Sequence, residues 1–251
     1  MTEEALKDLL YKIADDQLIL GHRNSEWTGM GPLLEEDIAF SSMAQDKVGS
    51  SLAFYTLLHD LGEQEPDTVA FTRNAEQFHN CQFVELPIGE YNFSLIRHFL
   101  FDHAELIRFQ MLAECPIEEV AQVAKKLKGE VKYHVMHANT WIKQLSNANE
   151  EAHTRMQESL NYALPYALGI FEPSQFENDF IEAGIYPGEK AIETKWKENI
   201  SKILTEAGLT LPAWDSIEAV YGGRYGKHTE HLQPLLSEMT EVFNVDPTAD
   251  W

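Results

Sequence analysis

Between Leu33 and Leu61, apolar residues recur at helical spacing: Leu34, Ile38, Val48, Leu52 and Tyr55. No proline and only one glycine interrupt them. The spacing predicts a long helix buried along that stripe, with Pro32 at its first position after the turn Gly29-Met30-Gly31. Thr2 to about Glu26 carries Leu6, Leu9, Leu10, Ile13 and Leu20 on one side behind an acidic start, so it too reads as helix. Asn92–Glu114 is apolar on most sides and is expected at the centre of the fold; Cys115-Pro116 ends it. Ile117 to about Leu145 follows, then a break at Ser146–Asn149. A fifth helix, Glu151–Phe171, contains Pro165, where a kink is expected. Glu189–Ala207 is a sixth, stopped by Gly208, and His228–Val242 is a last short one after a glycine-bearing loop. Thr68–Pro87 is polar and irregular, and reads as one short helix in an ordered crossover.

No stretch reads as a strand, a repeat or an interdomain linker, so residues 1–251 are expected to form a single domain. Two antiparallel helical pairs joined by a crossover of about 30 residues make an all-α, ferritin-like four-helix bundle, here with additional C-terminal helices. Hydrophobic residues at 44% suffice for a core of that size. The net charge of −22 excludes general nucleic-acid binding and disfavours anionic membranes. The acidic, amphipathic start is not a secretory signal, and no run of about 18 apolar residues is present. Cys81 and Cys115 show no zinc or redox spacing. A cytoplasmic protein is expected.

A ferritin-like bundle can carry two metals on a carboxylate from each of two helices and a Glu-x-x-His from each of the other two. On these helices the template falls on Asp16, Asp46, Asp102 and Glu130, with near-equal separations within the two hairpins. The histidine positions then hold Gly49 and Tyr133, and His134 is one residue further on, about 100° around the helix. Four acids without imidazoles read as vestigial positions of a lost di-metal site, the carboxylates being paired internally. The alternative is an active carboxylate-rich di-metal oxygenase or oxidase on the same four residues. Two literal Glu-x-x-His strings, Glu76–His79 and Glu150–His153, fall in the crossover and at a helix start and read as chance matches. His228-Thr229-Glu230-His231 reads as a helix start docked on the bundle by hydrogen bonds, and Arg23 with Glu26 as a structural ion pair.

Four stretches are more specific: HRNSEWTGMGPLLEEDIA near the start, DTVAFTRNAEQFHNCQFVELPIGEYNFSLIRHFLFD in the middle, EVKYHVMHANTW, and GGRYGKHTEHLQPLLSEM near the end. Through them, over essentially its whole length, the chain resembles the C-subunit family of the multicomponent phenylacetyl-CoA epoxidases. The resemblance implies a ferritin-like paralogue of a catalytic A subunit. The A subunit holds a di-iron centre and converts phenylacetyl-CoA with O2 to the ring 1,2-epoxide, with electrons from a reductase using NADPH, FAD and an iron–sulfur cluster. The C subunit itself is implied to hold no cofactor, to pair with A and the other epoxidase subunits, and to support substrate binding. It also implies CoA contacts at Gln77, Phe78, His79 and Asn80, with a second patch at Asn178, Asp179 and Phe180. Amide and imidazole donors suit pantetheine carbonyls or phosphate oxygens; a polar crossover satisfying its own backbone accounts for the first group equally well.

Overall fold

The computed structural model describes residues 2–246. The chain is all-α, with no strand among the described residues. Helices α1 (Glu3–Ser25) and α2 (Leu34–Asp60) form one antiparallel pair, and α5 (Tyr91–Leu112) and α6 (Glu118–Ser146) the other. Between the pairs lies the crossover, with α3 (Pro66–Thr72) and α4 (Gln82–Glu85). Then come α7 (Glu150–Leu168), α8 (Glu177–Glu182), α9 (Glu189–Glu206) and α10 (Leu232–Met239). This is the ferritin-like arrangement, and no described helix is long and apolar enough to cross a membrane.

Local chemistry sets the boundaries. The Thr2 hydroxyl accepts from the Ala5 amide, with Glu3 and Glu4 in the first turn and His22 and Arg23 in the last. Asn149 caps α7 through the Ala152 amide. Helix α7 continues through Pro165, whose carbonyl takes the Val220 amide at 3.0 Å. It stops at Leu168, and a 3-10 turn covers Gly169–Phe171. Pro32 is not the first residue of α2; Leu33 is extended, because Asp37 reaches back to the Gly29 amide at 2.6 Å and holds the turn open. The last helix is shorter than its periodicity suggests. His228 and Thr229 direct their polar groups at Glu85 and do not enter it.

The larger correction concerns α2. Of the stripe expected in the core, only Tyr55 is buried; Leu34 is 70% exposed, Ile38 61%, Leu52 52% and Val48 40%. Phe40, Met43, Lys47, Ser50, Ser51, Phe54, Tyr55 and Leu58 face inward instead. The helix is apolar around much of its circumference, so spacing alone did not choose the buried side. Helix α5 is central as expected, burying Phe99, Phe101 and Phe109 with Arg97, Asp102, Glu105 and Arg108. Helix α9 closes on it through Trp196, whose indole donates to the Leu100 carbonyl at 2.8 Å. One hydrophobic cluster runs from α1 to α10, with a small satellite of Trp27, Phe40 and Met43.

The glycine-bearing loop before α10 is held by buried charge. Arg224 donates to both oxygens of Asp16 at 2.8 and 2.7 Å and to the carbonyls of His79 and Ile170. Glu172 accepts from the Gly222 and Arg224 amides. Such close backbone approach has no room for side chains: a Cβ on Gly223 would collide with the Asn80 carbonyl. Gly223→Ala is therefore expected to lower unfolding free energy by about 1–3 kcal/mol. Gly129→Ala is the contrasting case, since its Cβ meets nothing within 4 Å; it removes a helix-interior glycine and is expected to raise stability by about 1 kcal/mol. Urea midpoints of the two variants check both signs.

Candidate functional site

The bundle centre is where a metal pair would sit, and its side chains contact one another, although Asp102 Oδ2, both His98 ring nitrogens and the Nδ1 atoms of His134 and His137 make no hydrogen bond. Asp102 is fully buried on α5. One of its oxygens accepts from Lys47 Nζ at 2.5 Å, and the other lies 2.5 Å from His98 Nδ1, one turn earlier on the same helix. Lys47 is 1% exposed and lies over the Phe101 ring at 4.9 Å. Burial pushes the Asp102 carboxyl up, but Lys47 and then His98 outweigh it and hold the carboxyl well below its usual range. Burial lowers the His98 imidazole to about 4 against the opposing pull of Asp102.

Around this pair, α2 and α6 are joined by imidazole–carboxylate contacts. His134 Nε2 lies 3.0 Å from Asp46, and His137 Nε2 lies 2.9 Å from Glu36, which also accepts from the Trp141 indole and the Tyr91 hydroxyl. Glu130 is only half-buried; burial, then the charge of Asp46, raises its pKa. Asp16 lies apart, in the grip of Arg224 and the Cys81 amide. The sequence register is thus off by one position on α6: Tyr133 is exposed and His134 points inward against Asp46.

These residues do not fit a di-metal centre. An ammonium already contacts Asp102, a guanidinium holds Asp16 in a fork, and a second cation beside either would be repelled. The rings of His98, His134 and His137 are neighbours, with His98 5.9 Å from His134 and 5.6 Å from His137 between centroids. Yet among the described residues no group of three or more His, Cys, Asp or Glu side chains is placed to hold a metal ion. Lys47, His98, His137 and Glu36 were not singled out in the sequence. The i, i+4 spacing of His98 and Asp102 and the i, i+3 spacing of His134 and His137 were the available signals.

The crossover residues divide into two kinds. Phe78 is buried under the Arg73 guanidinium, 4.0 Å from its ring, and Asn80 is buried on Glu85 and the Cys81 carbonyl. Gln77 is exposed and its side chain takes the Asn74 amide. His79 stacks on Tyr11 with 5.5 Å between ring centroids, and its backbone amide donates to Asp15. A cavity of about 260 Å³ has Asp8, Glu76, His79, Ser174 and Tyr225 in its lining, with Lys12 and Arg224 also contributing. Of the second patch, Asn178 is exposed on α8, Asp179 is half-buried, and Phe180 is buried against Tyr186; none of the three lines this cavity. Both Glu-x-x-His strings are local structure. Glu76–His79 runs out of the 3-10 turn Ala75–Gln77, and His153 contacts the Ser146 carbonyl at the start of α7. His228 and Thr229 dock on Glu85 and the Phe78 carbonyl, and Arg23 pairs with Glu26 at 2.7 Å.

The family model described as phenylacetic acid catabolic protein matches residues 1–251. The chain is also 30% identical over 241 residues, 96% of each chain, to the C subunit of the 1,2-phenylacetyl-CoA epoxidase of Escherichia coli (strain K12).

Two outcomes are expected from the buried pair. Lys47→Met leaves Asp102 charged without its ammonium and is expected to cost about 3–5 kcal/mol in unfolding free energy. His98 titrates near 4 when folded, against an ordinary 6.5. Between those values the unfolded chain binds more protons, so the stability due to neutral His98 is full above pH 6.5 and is lost as pH falls toward 4, by about 3 kcal/mol. Asp102 has the same sign at lower pH: its contribution is present above its ordinary value of 3.8 and is lost below it. Urea unfolding from about pH 7 to about pH 4.5 should show a shallower decline in His98→Gln than in the native chain.

Proposed function

Because this chain belongs to the phenylacetic acid catabolic protein family, we propose that it is a non-catalytic subunit of a phenylacetyl-CoA epoxidase. In this reading it pairs with a catalytic A-type subunit and supports the binding of phenylacetyl-CoA. The relative from Escherichia coli, named as the C subunit of such an epoxidase, supports the choice of complex. The observation that carries the non-catalytic role is Lys47: its ammonium stands against Asp102 in the bundle centre, where a metal-bearing paralogue needs free carboxylate. The di-iron centre and the flavin, NADPH and iron–sulfur components of the reaction then belong to other subunits.

In the same reading the chain contributes to substrate binding through its crossover. His79 is the strongest candidate of the seven residues implied by resemblance. It lines the cavity, and its imidazole can donate to a pantetheine carbonyl or a phosphate oxygen. Phe78 and Asn80, on either side of His79, are buried and fix the crossover there; Gln77 is exposed beside them, and Asn178, Asp179 and Phe180 lie outside the cavity lining. The acidic lining from Asp8 and Glu76 leaves most of the cations for the CoA phosphates to the partner.

Metal analysis and reconstitution test the two halves of the proposal. The chain purified from iron-supplemented medium is expected to carry less than about 0.1 iron or manganese per chain. Added to the A-type subunit and reductase, it should be required for epoxide formation from phenylacetyl-CoA. His79→Ala should raise KM several-fold with kcat little changed, as expected for lost uniform binding. Close to two metals per chain, with turnover in the absence of any partner, would replace this reading with that of an active di-metal oxygenase.

A further inference from the structure

The face of α2 turned away from the core has the composition of an interface, and no described residue covers it. Its exposed residues from Ile38 to Thr56 are Ile38, Ser42, Gln45, Val48, Gly49, Leu52 and Thr56, all uncharged. That run spans about 27 Å of helix. In a chain with 24% charged residues and a net charge of −22, an exposed helix would ordinarily carry charge throughout such a length. Loss of charge with retained apolar bulk is the mark of an interface centre. On α6, which packs beside α2, Tyr133 and Met136 are more than half exposed. In the seam between the helices lie Asp46, still 36% exposed on its contact with His134, and half-buried Glu130, on which the charge of Asp46 acts.

The seam decides what can sit there. Covering it takes two carboxylates out of water, and the groups that offset Glu130 are exposed Lys126 and the His134 imidazole already in contact with Asp46. A second copy would bring the same two acids to a surface already bearing them, on a chain of the same net charge. We infer that the α2–α6 face seats a different chain, one presenting an apolar helical surface with an arginine or lysine directed at Asp46 and Glu130. This rests on the subunit reading above, and the chain in question is a companion subunit of the same complex.

The test uses the full chain and each companion subunit of its own epoxidase, purified separately, with binding followed by sedimentation velocity and titration. Ile38→Lys and Leu52→Lys change exposed positions, so far-UV circular dichroism and melting temperature should match the native chain. Each is expected to weaken one companion's binding by about tenfold or more, and the double variant by about a hundredfold. Tyr162→Lys, equally exposed on α7, should bind within about twofold of native. Asp46→Asn with Glu130→Gln should weaken binding and flatten its salt dependence. Unchanged binding by Ile38→Lys and Leu52→Lys, with native binding intact, would overturn the assignment of this face and leave the subunit reading standing. Absence of binding between the native chain and every companion would overturn both. A homodimer dispersed by Ile38→Lys would place a second copy there and overturn the inference.

Discussion

A carboxylate taken out of water must meet a cation or several donors inside the protein, and this fold is organised by that requirement. Asp15 meets Arg73 and the Tyr55 hydroxyl; Asp16 meets Arg224; Asp102 meets Lys47; Glu189 meets Lys12 and Arg108. In each pairing the partners come from different elements. Apolar packing brings the helices together, but it tolerates sliding; the forked contacts do not. The crossover and the C-terminal loop, which have little regular structure of their own, are fixed in place by these contacts with α1.

That organisation explains which parts of the architecture could be read from sequence. Helix positions followed from periodicity and caps, because Thr2, Asn149 and the glycine stops act locally. The inward side of α2 did not follow, because both of its sides are apolar and the buried one also holds Lys47, Ser50 and Ser51. The acids Asp16, Asp46 and Asp102 were visible as unusual residues on long helices. Their partners were not: Arg224 lies 208 residues from Asp16, and Lys47 lies 55 from Asp102. Pairings over such separations are set by topology. The one-residue slip on α6 arose from taking Glu130 as inward-facing, whereas Val131, His134, Val135 and Ala138 form that side.

The bundle centre and the crossover differ in their chemistry. In the centre, the Lys47 ammonium and the imidazoles of His98, His134 and His137 occupy the space beside the acids. At the crossover, a histidine stacked on Tyr11 lines a polar cavity, and the adjoining backbone amides are tied to Asp15 and Asp16. Backbone held this firmly is preorganised for contact.

The fork between Arg224 and Asp16 also bears on how the molecule is made. Asp16 emerges from the ribosome early, and its guanidinium is translated 208 residues later. Until then α1 and α2 can pair, yet the pair holds a carboxylate with no counter-charge and an open flank where the loop will lie. The packing of this flank is therefore complete only once a contact spanning most of the chain has formed, and such long-range closure slows folding.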